Sequence, residues 1–243
     1  EMNVFADFNA SFAYLSPVIF IFYVELLKLL LPKKNEKNKD LIDLLRRYHN
    51  VGLSVASLLM MIGILYSSHR SSKFDSIDSF MCREFIDEPI VLIVGWSFYY
   101  SKYWEWVDTA FLILGNKPVS WLHYTHHMST AILVYINIVP MYSSTSSLAC
   151  FTNTFVHTFM YWYFAYPKGF LKKYNKWITR IQIVQHIACL SGLIYVYVRD
   201  PEECRSSPVG TKTALLLYVM YLGFFVSFYV VKYGTRKESK KIE

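Results

Sequence analysis

Apolar residues fall in seven long blocks along this chain, roughly 12–31, 49–67, 89–114, 117–140, 146–166, 177–198 and 213–233. Each is close to the about 20 residues that a helix needs to cross the hydrocarbon layer of a membrane. The first contains Glu25 and Lys28 and is followed by no small-residue cleavage site, so it reads as a span rather than a signal peptide. Between blocks one and two lies the single extended polar stretch, 32–48, "PKKNEKNKDLIDLLRRY". Its Leu41, Leu44 and Leu45 share a helical face beside charges, which predicts a helix lying along the membrane surface. No repeat, low-complexity tract or linker divides the chain. The expectation is one all-α polytopic membrane domain over 1–243 with seven transmembrane helices.

Composition supports lipid as the outer solvent. Hydrophobic residues make up 54% of the chain and charged residues 18%, against about 25% charged in soluble domains. The charge pattern predicts orientation. Numbered alternately, one set of loops and flanks carries 16 Lys/Arg and the other 6. The rule that basic loops stay cytosolic then places the C-terminus and the 32–48 stretch in the cytosol and the N-terminus in the lumen. A net charge of +7 spread over short loops in this way is a topology signal and argues against nucleic-acid binding. Lys240 and Lys241 in the terminal "KKIE" form a dilysine pattern read as retrieval to the endoplasmic reticulum. Cys82 and Cys204 occupy two different lumenal loops, where an oxidising compartment permits a disulfide. Cys150 and Cys189 fall inside spans and read as packed thiols.

Polar residues inside the spans gather in four clusters. Such groups are costly in lipid and usually face a cavity. In "SKYWEWVDT" (101–109), Lys102, Glu105 and Asp108 recur every third residue beside Thr109, which predicts one stripe on one helix. In "HYTHH" (123–127), His123, His126 and His127 project from one side of the next span. In "NTFVHTFMYWYF" (153–164), Asn153, His157, Met160, Tyr161 and Phe164 share a face. In "WITRIQIVQH" (177–186), Thr179, Gln182 and either Gln185 or His186 repeat the pattern. With the predicted orientation all four lie at similar depth in the cytosolic half. A polar chamber above an apolar tube suits an amphiphile with a polar head and an acyl tail.

The histidines raise two chemistries. HxxHH occurs in membrane desaturases and hydroxylases that bind two irons, but the seven histidines of this chain are few for such a site. A single zinc on His123, His127 and His157 is the other metal reading. Alternatively, a neutral buried imidazole attacks a thioester and carries the acyl group. Seven spans also suit a lipid transporter or receptor, neither of which needs a histidine box.

The four motifs in order, "KYWEWVDT" for KxxExxDT, "HYTHH" for HxxHH, "HTFMYWYF" for HxxMYxYY and "TRIQIVQ" for TxxQxxQ, resemble the ELO family of very-long-chain fatty acid elongases. "YHN" at 48–50 resembles a further signature. Phe164 stands where the third motif has a tyrosine. The resemblance implies an acyltransferase, a 3-ketoacyl-CoA synthase joining a long-chain acyl-CoA with malonyl-CoA, with no metal or redox cofactor. It also implies an endoplasmic reticulum membrane location and six helices around a narrow acyl tunnel closed at the lumenal end, the first helix standing outside. Candidate partners beyond substrates and bilayer are a second copy of the chain and the other enzymes of the elongation cycle. The expected route is ping-pong through an acyl-imidazole on His126. His157, facing it from the next helix, stabilises the thioester oxygen or the enolate, and His123, His127, Asn153 and Tyr161 orient the pair. Lys102, Glu105 and Asp108 set local charge, Gln182 and Gln185 touch the CoA arm, and basic residues such as Lys172 and Lys173 are candidates for its phosphates.

Overall fold

The structure, a computed structural model, describes residues 4–31, 38–83, 85, 89–138 and 144–234. Lys240 and Lys241 lie outside the described residues. Among those residues the chain is helical: α1 (Val4–Leu30), α2 (Lys39–Arg70), α3 (Ile77–Cys82), α4 (Pro89–Trp104), α5 (Val107–Leu114), α6 (Trp121–Ile138), α7 (Ser144–Ala165), α8 (Asn175–Arg199) and α9 (Pro208–Tyr233). The starts follow local chemistry. Ser207 accepts a hydrogen bond from the Gly210 amide and Pro208 opens α9, while Ser76 accepts from the Ser79 amide at the head of α3; both satisfy amides that a helix start leaves unpaired.

Two elements differ from the pattern read in the sequence. The surface helix expected over 32–48 is instead, from Lys39 onward, the first turns of α2. No proline separates it from the following span, so the backbone ladder runs on, leaving Leu41, Leu44 and Leu45 exposed. The span expected over 89–114 is broken. After Glu105 N–H reaches Ser101 O, the amides of Trp106, Asp108 and Thr109 turn to carbonyls three residues back, on Tyr103, Glu105 and Trp106. This tight 3-10 turn ends α4 and re-aims α5.

Among the described residues four stretches, Asn9–Leu30, Lys39–Arg70, Phe170–Arg199 and Pro208–Tyr233, are long and apolar enough to cross a membrane. The protein is an all-helical, multi-pass membrane protein. α6 and α7 fall short of that apolarity because they carry the histidines and other polar groups described below.

Packing closes a ring. α2 lies against α4, α4 against α6, α6 against α9, α9 against α8, α8 against α7, and α7 returns to α2. α1 stands outside the ring against α6 and α5. One end of the bundle carries the turns around 38, 115–120 and 166–174 and is called the basic end. The other carries α3 and the turn at 200–207.

At that second end Cys82 and Cys204 form a disulfide across 122 residues of sequence. It ties α3 to the turn after α8, where Met81, Val196 and Cys204 are buried together. Met81 wedges against Gly192 of α8, where an added Cβ would come within 2.8 Å of its methyl carbon. Cross-linking so long a loop removes much of the unfolded chain's freedom. Cys82→Ser, or reduction of the folded protein, is therefore expected to lower stability by about 2–5 kcal/mol. The midpoint of thermal unfolding in detergent, with and without reductant, measures it.

Candidate active site

The ring encloses a cavity lined by residues of α4, α6, α7, α8 and α9. On α6 its wall runs from His126 to Asn137, roughly 16 Å of helix. Toward the basic end the lining includes Lys102, His126, Asn153, Gln185 and His186; farther down come Leu133, Val134, Ala149, Leu193 and Ala214. A polar head and an apolar barrel thus share one enclosure, although Asn137 and Ser146 return polarity to its far end.

The polar head rests on a closed hydrogen-bonded cycle. Lys102 Nζ lies 2.7 Å from Glu105 Oε1 and donates to Asn153 Oδ1 at 2.9 Å. With its oxygen so engaged, Asn153 turns its amide nitrogen to His157 Nε2 at 3.2 Å. His157 Nε2 therefore accepts, the ring proton sits on Nδ1, and Nδ1 faces Glu105 Oε1 at 3.4 Å. Lys102 and Glu105 are 2% and 1% exposed, so neither charge is solvated and each depends on the other. The Lys102 ammonium also stands 4.2 Å over the Phe98 ring, while Glu105 Oε2 is buried with no protein partner.

The three histidines of the box divide. His126 is the one whose ring lines the cavity; it packs against the Tyr221 ring and makes no ring hydrogen bond among the described residues. His123 turns to Thr109, Nε2 to Oγ1 at 2.9 Å, and its ring lies 4.1 Å from that of His127. His127 faces away from the cavity, against Phe20 of α1, with Nδ1 buried and unpartnered. Its backbone carbonyl accepts from Trp106 Nε1 at 3.0 Å, which fastens α6 to the break between α4 and α5. The shared face expected from spacing is only approximate, because residues three and four apart still diverge enough to meet different neighbours.

Two further expectations change. Lys102, Glu105 and Asp108 do not form one stripe, since the 3-10 turn swings Asp108 out of line. Its carboxylate bridges His49 Nε2 of α2 at 2.8 Å and the Tyr161 hydroxyl of α7 at 2.7 Å. His157 and His126 are not on adjacent helices: in the ring α6 and α7 are separated on both sides by other helices, and Lys102 and Asn153 line the cavity with His126 while His157 does not. Of the other residues expected to touch substrate, Asn153 and Gln185 line the cavity with Lys102. Glu105, Thr109 and Tyr161 stand behind it, fully buried. Gln182 donates instead to Met160 Sδ.

Two histidines go beyond the expected set. His49 holds Asp108; its only signal in the sequence is its place in "YHN". His186 lines the cavity, and its Nδ1 donates to the Gln182 carbonyl at 2.6 Å, leaving Nε2 as the ring's acceptor. "VQH" already placed it at the right spacing as the alternative to Gln185.

Chemically, the head offers an unengaged imidazole, a buried ammonium, an amide and a second imidazole in a defined tautomer, all above an apolar barrel. Among the described residues no three His, Cys, Asp or Glu side chains converge as metal ligands would. His123 and His127 pack ring against ring at 4.1 Å, whereas His157 is engaged by Asn153 and Glu105.

The enclosure is thus polar toward the basic end and mainly apolar beyond it. Residues 9–241 match the ELO, GNS1/SUR4, family, and the chain belongs to it. A Schizosaccharomyces pombe protein provisionally named fatty acid elongase 2 is 34% identical over 75% of this chain and 53% of its own length. Fatty acid elongase sre1 of Dictyostelium discoideum is 29% identical over 79% of this chain and 74% of its own. Fatty acid elongase A of the same organism is 29% identical over 84% and 78%. The chain thus spans about half the length of the first relative and about three quarters of the other two.

Proposed function

We propose that this protein elongates fatty acids as the condensing enzyme, joining a long-chain acyl-CoA to malonyl-CoA to give 3-ketoacyl-CoA, CO2 and CoA. The observation that carries the reading is the His126 ring, free of hydrogen bonds among the described residues and set in the wall where the polar head meets the apolar barrel. Family membership and the names of the relatives support elongation as the pathway.

In the first half-reaction an imidazole nitrogen of His126 attacks the thioester carbonyl, the C–S bond breaks, and the departing thiolate takes the proton lost by the ring. The acyl tail lies along Leu133 and Leu193. In the second, malonyl-CoA loses CO2, and the resulting enolate carbon attacks the acyl-imidazole. The C–N bond breaks and the departing imidazolate of His126 takes a proton from water. Lys102 and the Asn153 amide bear on the developing oxyanion charge. His157, tied to Glu105 and Asn153, keeps that amide aimed. Gln185 and His186 contact the CoA arm from α8, and Lys172 and Lys173 at the basic end are suited to its phosphates. The same proposal places the basic end in the cytosol and the disulfide end in the lumen of the endoplasmic reticulum, supported by loop charge and the disulfide.

Intact mass after incubation with acyl-CoA alone tests the covalent step. The protein is expected to gain one acyl group, lost in His126→Ala and discharged by malonyl-CoA. An undiminished adduct in His126→Ala sinks the assignment, and no adduct with an active enzyme sinks the ping-pong route. Activity that survives chelation separates this chemistry from a metal-dependent hydroxylase. Absence of condensation with any acyl-CoA favours a transporter.

A further inference from the structure

Setting aside Lys117 and Lys232 at span ends, the basic residues within the spans read from the sequence are Lys28, Lys102 and Arg180. Two carry a carboxylate three residues away, Lys28 with Glu25 and Lys102 with Glu105, each at 2.7 Å. Arg180 has none. Its Nε donates instead to the Tyr229 hydroxyl of α9 at 2.8 Å, and its guanidinium lies over the Trp177 and Tyr229 rings.

Two more cations crowd the same place. Lys176 stands 5.7 Å from the Tyr229 ring and 5.8 Å from the Tyr233 ring. Lys232 stands 5.3 Å from the Tyr233 ring. The two tyrosines pack together with ring centres 5.2 Å apart. Three positive charges therefore converge on two phenols, with no carboxylate paired to any of them among the described residues. The Tyr233 hydroxyl is buried and has no hydrogen-bond partner among the described residues. Like charges gathered at the edge of a low-dielectric layer repel, and ring faces offset that only in part.

Position selects the missing anion. On α8, Arg180 heads the stripe of Val184 and Ile187, both exposed, while Gln185 and His186 on the other face line the cavity. The cluster thus opens outward to lipid at the basic end, away from the acyl tunnel. We propose that the α8–α9 seam binds the phosphate of an anionic glycerophospholipid headgroup. The Arg180 guanidinium would take two phosphate oxygens as a fork, Lys176 and Lys232 would supply charge, and the Tyr233 hydroxyl would donate.

The test uses the full chain in detergent micelles, titrated by native mass spectrometry with dioleoylphosphatidic acid and with dioleoylphosphatidylcholine. The wild type is expected to prefer phosphatidic acid about tenfold or more, and each cation removed to cost about fivefold. Arg180→Gln and Lys176→Gln should each erode that preference, Tyr233→Phe should weaken it without changing charge, and the KM for malonyl-CoA should stay unchanged in Arg180→Gln. If Arg180→Gln does not fold, Lys176→Gln and Tyr233→Phe carry the test. Equal binding of the two lipids by the wild type overturns the proposal. So does a preference that survives loss of both Arg180 and Lys176. Displacement of phosphatidic acid by equimolar inorganic phosphate shows a site for any free anion, and displacement by CoA with a raised KM assigns the cluster to the substrate; either result also overturns it.

Discussion

His126→Ala is expected to lower condensation turnover by about a thousandfold or more, roughly 4 kcal/mol on the barrier, with little change in fold. The argument is positional. His126 lines the cavity and makes no ring hydrogen bond among the described residues, so its removal leaves none of them unpaired and costs mainly its chemistry. His123→Ala makes the informative contrast. That ring holds Thr109 at 2.9 Å and lies tilted against His127, so its loss disturbs the seating of α5 and should cost turnover far less while lowering thermal stability. Incorporation of labelled malonyl-CoA, measured beside the unfolding midpoint, separates the two. If His123→Ala falls as far as His126→Ala at undiminished stability, the division of roles within the box is wrong.

That division was only half legible in the sequence. Helical spacing gathers His123, His126 and His127 on one side of α6, but a helix face about 100° wide meets more than one neighbour. Which neighbours those are depends on the ring order of the helices, a long-range property that no local pattern encodes. The 3-10 turn after Glu105 is a similar case. Nothing in "KYWEWVDT" contains the proline or glycine that usually marks a break. Trp106 seats its indole on the His127 carbonyl and takes a bond from the Tyr23 hydroxyl on its own carbonyl, so tertiary contacts set the geometry. Asp108 consequently reaches His49 and Tyr161 rather than joining Lys102. Features resting on burial alone were easier to read. The apolar blocks recur as helices, apart from that break and the earlier starts of α1 and α2, because a membrane span must satisfy its backbone internally. Cys82 and Cys204 were paired by the side of the membrane they share, and the structure joins them.

Lys102→Met is expected to destabilise the protein by about 3–5 kcal/mol, a large share of the about 5–15 kcal/mol that holds a typical domain together. The side chain is of similar length and apolar, so it suits the Phe98 ring beneath it. What it lacks is the charge that balances Glu105. That carboxylate is 1% exposed, and one of its oxygens already has no protein partner. Without the ammonium it keeps only His157 at 3.4 Å and the Ser101 hydroxyl at 3.5 Å, too little to hold an anion away from water. Asn153 loses its donor at the same time, so its amide is free to rotate and the His157 tautomer is no longer dictated. Glu105→Gln in the Lys102→Met background removes the stranded charge and should restore most of the stability while leaving turnover low. Unfolding midpoints of the two single variants and the double variant form the cycle that measures the coupling. A coupling near zero would mean that the two charges are solvated independently, and the closed cycle of Lys102, Glu105, Asn153 and His157 would then have no energetic basis.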